Sequence, residues 1–415
     1  MTAAWIAAVW LSAQAAPPPA SSNRPSIDGQ ISLLADAVPR ESALELRPQV
    51  RFDLSGRRGD RLRYRFEALV EALAADRSGS VTDAIARVRE GWIEVGGDGG
   101  EVRIGYGRIV WGRLDEIQPS DVINPLNITR FLFDGRSEAR LPVSFVRGRW
   151  NLSERLVLEG IIVPVFRRGW FDELDEPTSP FNVVNDVVLP PAFGLSDPEV
   201  HHQEPAASWS NLSGGGRVSA TAGRVDVAAA VYRGFDSFGI ISVEPDAPIA
   251  LVERFPRFTM ISGDFETVVG EWAIRGEMAA FVDKQFPRSD RPGSVEGAAV
   301  DGGVGVDRRA GDYRVFGSVL LRRDWSADDP GVASTNVNLV ASLDRTFSRD
   351  RYLARVFAVV NPGDASGFVR GLVVWTARDN VAIEGTAGAF LGTGDDSLSR
   401  FKNRDFLFAR VRYVF

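Results

Sequence analysis

Cysteine is absent from all 415 residues, which excludes disulfides, thiolate metal sites and cysteine nucleophiles together. Lysine is nearly absent: Lys284 and Lys402 are the only two, so the positive charge is almost entirely arginine. The formal net charge is -7 and no basic block stands out, so nothing points to nucleic acid. Histidine occurs twice, at His201 and His202. Adjacent residues on an extended segment point apart, so a shared metal ion is not expected there. With only those two histidines, a Ser-His-Asp hydrolase is also not expected. The phosphate-binding pattern G-x-x-x-x-G-K-[ST], the dinucleotide pattern G-x-G-x-x-G and the metalloprotease pattern HExxH are missing too. These absences argue against an enzyme and against a resident cofactor or metal. Long apolar runs are also lacking. Beyond the first sixteen residues, no stretch reaches the roughly 18 apolar residues that a membrane-crossing helix needs. The best, Val157 to Phe166, is interrupted by Glu159.

What is present is alternation. In the last stretch, DFLFARVRYVF, residues Leu407, Ala409, Val411, Tyr413 and Phe415 share one parity, and Arg410 and Arg412 share the other. That period of two is the signature of a half-buried strand. Near the other end, Ile27, Gly29, Ile31, Leu33 and Ala35 alternate with Asp28, Gln30, Ser32 and Asp36. Leu44 to Leu54 and Leu62 to Val70 repeat it, with arginines where a soluble barrel would need a dry core. Tyr313 to Leu321 and Val337 to Leu343 show it most cleanly. Only the stretch Ala86 to Val95 is ambiguous in phase, so its Glu90 and Trp92 are assigned to neither face.

The C-terminal strand ending on Phe415 resembles the closing strand of bacterial outer-membrane β-barrel proteins, in which a terminal Phe is the assembly signal. The resemblance implies contact with the barrel-assembly machinery through Phe415. The whole pattern predicts an all-β fold, a transmembrane antiparallel β-barrel of about 18 strands, with 16 as the fallback. Counting back from a periplasmic Phe415, the connections alternate between long and short, as expected of long extracellular loops and short periplasmic turns. Such a ring leaves an aqueous channel. The expected division is an export signal over 1–15, a spacer over 16–26 and the barrel over 27–415. The location that follows is the outer membrane of a Gram-negative bacterium, with outer-membrane lipid and small solutes as partners. Nothing identifies a subunit interface, so the oligomeric state stays open.

Two connections are long enough to carry function. The first, 110–140, is the most charged non-strand region. With the preceding residues it resembles the G-R-x-x-x-W-G segment, followed by an acidic residue and Asn-Pro, of an uncharacterised proteobacterial outer-membrane family. Gly107, Arg108, Trp111, Gly112, Asp121, Asn124 and Pro125 match, although the spacing to Trp111 is one residue tighter. The resemblance implies a porin-like barrel and no particular substrate. A loop this long is a candidate to fold inward and constrict the lumen. Arg113, Arg130, Arg136 and Arg140 would face Asp115, Glu116, Asp121, Asp134 and Glu138, giving a transverse field on polar solutes. The bland reading is an outer loop whose charges are solvated. The second long connection, 167–213, holds both histidines. Lumen-wall candidates on the strands are Arg47, Arg51, Arg63, Glu67, Arg314, Arg355, Arg410 and Arg412. The expected function is a channel for passive diffusion of small polar or anionic solutes. The alternative is a loop-closed receptor or scaffold barrel that binds a surface ligand or a periplasmic partner.

Overall fold

The computed structural model describes residues 25–77, 79–186, 200–244, 250–289, 293–394 and 396–415. The expected export signal lies outside them. Eighteen antiparallel strands form one sheet. They are β1 Ser26–Val38, β2 Ala43–Arg58, β3 Leu62–Asp76, β4 Ser80–Gly97, β5 Gly100–Gly107 and β6 Val143–Ser153. Next come β7 Leu156–Val163, β8 Ser213–Ala222, β9 Val225–Phe235, β10 Arg257–Val269, β11 Trp272–Pro287 and β12 Ser294–Ala310. The last six are β13 Tyr313–Trp325, β14 Ser334–Phe347, β15 Tyr352–Asn361, β16 Ser366–Arg378, β17 Val381–Leu391 and β18 Phe406–Val414. Strand β1 pairs with both β2 and β18, which closes the ring and leaves no edge. At the seam Gly29 and Phe415 exchange both backbone hydrogen bonds at 2.9 Å. The Phe415 ring lies over Gly29, where a Cβ would sit 2.4 Å from two ring carbons. A larger residue there would have to push the terminal ring aside.

Alternation decides which face each side chain takes. Ile31, Leu33, Leu44, Leu46, Val50 and Phe52 are exposed on the outside, while Ser32, Asp36, Glu45 and Arg47 point inward and are buried. In β13, Val319 is 52% exposed and its neighbour Ser318 only 8%. An apolar outer surface and a polar inner one are what hydrocarbon outside and water inside require. Val319→Arg is accordingly expected to destabilise the inserted protein by about 2 to 4 kcal/mol near the midplane. Ser318→Arg should cost much less, and urea titration of the protein in lipid vesicles measures both. Equal tolerance at the two positions would mean that Val319 does not face hydrocarbon.

The phase ambiguity near Glu90 has a physical cause. Glu67 pairs with Glu90 but Ala68 pairs with Val88, so Arg89 is an extra residue in a β-bulge between β3 and β4. The bulge turns two consecutive residues inward, and parity switches across it. Glu90 and Trp92 both face the lumen, where the Trp92 indole donates to Glu90 at 3.2 Å and Arg103 stacks on it.

Eight connections, at 59–61, 98–99, 154–155, 223–224, 270–271, 311–312, 348–351 and 379–380, lie at one end. The opposite end carries 108–142, 164–212, 236–256, 392–405 and five shorter ones. Outside the ring at the short-turn end, Phe347, Tyr352 and Trp375 stack in succession, with centroids 5.1 and 6.3 Å apart. Exposed Tyr313, Trp272 and Tyr413 lie at the same level. This is an interfacial aromatic girdle. At the long-connection end Val200–Gln203, Ile240–Glu244 and Ala250–Arg254 form a separate three-stranded sheet, which the alternation did not reveal.

Candidate functional site

Segment 108–142, between β5 and β6, does not arch outward over the mouth; it packs inside the ring. Asn124 fastens its base: the Asn124 carboxamide accepts from the Ile109 amide at 2.7 Å and donates to the Leu141 carbonyl at 2.7 Å. Trp111 is 1% exposed, and its indole donates to Glu159 on β7 at 2.7 Å. Two short helices follow, α1 Ile128–Asp134 and α2 Arg136–Ala139. Asn127 caps α1, its side chain accepting from the Arg130 amide at 3.0 Å. At the other end Arg370 of β16 donates to the Leu132 carbonyl at 2.9 Å and to the Phe131 carbonyl at 3.3 Å. A cation there favours the negative end of the helix.

The strongest fastening is Glu277 on β11. Its carboxylate accepts from the backbone amides of Arg113 (2.9 Å), Leu114 (3.2 Å) and Ser120 (2.6 Å), and from the Ser120 hydroxyl (2.6 Å). The close approach needs Gly112, whose φ is +99° and where a Cβ would sit 2.6 Å from Glu277 Oε1.

The charged residues singled out by sequence reach mainly to the wall and not to one another. Arg113 binds Asp264 at 2.5 Å and Glu266 at 3.1 Å. Asp115 meets Arg275 at 2.9 Å and Arg314 at 3.3 Å. Arg130 binds Glu71, and Asp134 binds Arg410. Glu138 meets Arg89 at 2.8 Å and Arg51 at 3.1 Å. Within the segment, Asp121 holds Arg136 at 2.9 Å and Arg140 at 2.7 Å, and Arg130 lies 3.4 Å from Asp134. Glu116, at φ +57°, makes no ion pair among the described residues. The expected pairing inside the loop is present at Asp121 and between Arg130 and Asp134, and the other charges add a spoke-like pairing with β2, β3, β4, β10, β11, β13 and β18.

Local fields tune these groups. Burial raises the Glu138 carboxyl, but Arg89, Arg51 and Arg108 outweigh it and hold it well below the usual range. The same contest, won by Arg410 and Arg130, lowers Asp134. At Asp115 burial prevails, reinforced by Asp307 and Glu116, and the carboxyl is raised despite Arg275 and Arg314.

The wall residues fall into three groups. Arg51, Arg314 and Arg410 bind the inward segment as above. Arg63 pairs along its own wall, with Glu94 at 2.5 Å and Glu101 at 2.6 Å. Arg355 does so with Asp344 at 2.6 Å, Arg412 with Glu384 at 3.2 Å, and Glu67 with Arg89 at 3.0 Å. Arg47 does something else. It binds Asp172 of the second long connection at 2.5 Å as well as its neighbour Glu45 at 2.6 Å.

That second connection also enters the mouth. Its backbone joins the first segment through Ile128 N to Trp170 O (2.8 Å), Thr129 N to Phe171 O (3.0 Å) and Trp170 N to Leu126 O (2.9 Å). Arg77 and Arg47 clamp Asp172, and Arg404 holds Asp186 at 2.8 Å. Of the two histidines, His202 pairs through Nδ1 with Glu253 at 2.6 Å in the small outer sheet.

Alternation read as apolar-out and charged-in missed the inward aromatics. Phe406 and Phe408 share parity with Arg410 and Arg412 and point into the ring. There they pack with Phe368, Phe390, Phe133 of α1 and Phe181 of the second connection. A second cluster joins Ile109, Trp111 and Ile123 to inward Tyr232, Phe258, Met260 and Phe281. Part of the cylinder expected to hold water therefore holds a folded apolar interior. The signal was in the sequence: phenylalanines on the charged parity at the long-connection end of several strands.

No family model matches the chain, and no curated protein is similar to it in sequence. Among solved structures, OccAB1 of Acinetobacter baumannii superposes with a TM-score of 0.54 at 7% identity, over 94% of this chain and 96% of that one. OccD3 of Pseudomonas aeruginosa superposes with a TM-score of 0.53 at 6% identity, over 97% and 93%. At such identity the likeness is one of fold. The fold is that of a bacterial outer-membrane porin: a closed antiparallel ring of eighteen strands, apolar outside, with its long connections gathered at one end.

Proposed function

We propose that the protein is an outer-membrane channel through which small polar or anionic solutes diffuse, with segment 108–142 as its constriction. The observation that carries the reading is that this segment is fastened across the lumen by charged pairs that remain partly open to solvent. Asp115 and Arg314 each keep a quarter of their side-chain surface exposed, and Arg51 and Glu138 slightly more. Such pairs set a field across a narrow passage and favour polar solutes over apolar ones. The reading needs no catalytic group and no cofactor. Purified protein in a planar bilayer is expected to give stepwise conductance, and a membrane that stays silent across several preparations would overturn the proposal.

The second connection supports another reading. Its clamp on Arg47 and Arg77 narrows the mouth, as a loop-closed receptor barrel would require. Deleting 170–182 separates the two: a channel stays open or widens, whereas a receptor loses its ligand.

A further inference from the structure

On the inner faces of β12, β13 and β14, Asp301, Arg322 and Asn336 lie directly opposite one another across adjacent strands. Asp324, one step toward the long connections, lies opposite Ser334, and Asn338, one step toward the short turns, lies opposite Leu320, so the five form a diagonal polar strip across the wall. None of the five hydrogen bonds to segment 108–142 among the described residues, so the fastening of the constriction does not explain them.

The chemistry of the strip is mixed. The Arg322 Nε donates to both carboxylate oxygens of Asp324, at 3.0 and 3.2 Å, and its Nη1 lies 3.9 Å from Asp301. The rest of the guanidinium faces the lumen, with 38% of the side chain exposed. Beside it the Asn336 carbonyl accepts from the side-chain amides of Asn338 (3.2 Å) and Asn361 (2.9 Å). This leaves the Asn336 amide and the Asn338 carbonyl without partners among the described residues. Both asparagines are half-buried and therefore reachable from the lumen. The strip offers donors (Arg322, Asn336) and acceptors (Asp301, Asp324, Asn338) within one patch.

Two carboxylates against one guanidinium leave the strip with a net negative charge. An anion drawn to Arg322 meets Asp301 and Asp324 at once, and a cation meets Arg322, the most exposed of the three. A neutral solute with adjacent hydroxyls is opposed by none of them, because each hydroxyl both donates and accepts. We propose that this strip is a subsite for uncharged, hydroxyl-rich solutes, polyols and sugars, and that the pore passes these faster than carboxylates of the same size. The inference rests on the channel reading and narrows it to the uncharged side.

The test is swelling of proteoliposomes in glucose and in sodium adipate, a six-carbon carboxylate without hydroxyls. Wild type is expected to admit glucose faster. Asn336→Ala with Asn338→Ala should slow glucose about three- to tenfold, the loss of one or two neutral hydrogen bonds, and leave adipate unchanged. Asp301→Asn with Asp324→Asn should speed adipate and narrow the difference. Adipate faster than glucose in wild type, or equal slowing of both solutes by the asparagine variant, would overturn the subsite. A heat-modifiable gel shift identical to wild type establishes that each variant has closed its barrel. Failure of the channel reading looks different: no swelling in either solute and no stepwise current.

Discussion

Replacing Glu277 by alanine is expected to free residues 112–120 from the wall and to raise single-channel conductance, with the barrel itself intact. The carboxylate is 5% exposed as a residue and is the acceptor for three backbone amides and one hydroxyl. Removing it takes the acceptor from all four donors. Each buried unsatisfied donor costs about 1 to 3 kcal/mol, so four of them destabilise the docked arrangement by at least roughly 4 kcal/mol, enough to favour release of the segment. The barrel does not depend on this contact, because the β10–β11 and β11–β12 ladders run past Glu277 unbroken. Glu277→Gln keeps a single acceptor oxygen and turns the other position into a donor that opposes the amides, so an intermediate effect is expected. Bilayer recording gives the conductance, and limited proteolysis at Arg113 reports the release. A variant with unchanged conductance and unchanged protection would show that the ion pairs and the two apolar clusters hold the segment without Glu277.

Much of the ring was legible from sequence because a membrane barrel writes each strand as a separate, local pattern. Every strand must put apolar groups outward regardless of its partner, so Val319 and Leu339 could be assigned to the outside without knowing that β13 pairs with β14. The one local failure, at Glu90, comes from a bulge, and a bulge is a property of two paired strands and not of one. The interior is less legible for the same reason. Whether Phe408 meets water or Phe133 depends on where a segment some 270 residues away is folded, and no period in either stretch encodes that. The charged residues of 110–140 were recognisable as a cluster, but their partners Glu71, Asp264 and Arg410 come from strands far apart in the chain. Glu277 was visible as an inward acid and nothing more. Its role lies in backbone amides that carry no residue-specific signal.

The same physics assigns Arg47 the largest expected effect on the second inward segment. Arg47 is 1% exposed, and Asp36, Glu45 and Asp172 are each 2% exposed. These three carboxylates, with Glu71 at 4.0 Å from Arg47, thus surround two guanidiniums, Arg47 and Arg77, away from solvent. Arg47→Leu removes one guanidinium and leaves the carboxylates facing each other, a loss of about 3 to 5 kcal/mol for a buried network broken on one side. Replacing both ends, Arg47→Leu with Asp172→Leu, should recover part of that loss, because Glu45 keeps Arg77 and only Asp36 is left without its ion pair. The pair also sets a pH limit. Burial raises the Asp172 carboxyl, but Arg47 and Arg77 outweigh it and hold the group below its usual value. A carboxyl lowered in the folded state contributes stability at pH values above its unfolded value, about 3.9, and loses it as pH falls through the folded value. In wild type, protonation should therefore free 170–178 only in strong acid. In Arg47→Leu the clustered Asp36, Glu45 and Asp172 keep only Arg77 and, at Asp172, the Leu174 amide, so the segment should be less protected at neutral pH and regain protection as mild acid neutralises the repelling carboxylates. Protease protection of the segment against pH follows both. Coincident curves for wild type and variant would show that the phenylalanine cluster around Phe181, not the buried charge network, keeps the mouth segment seated.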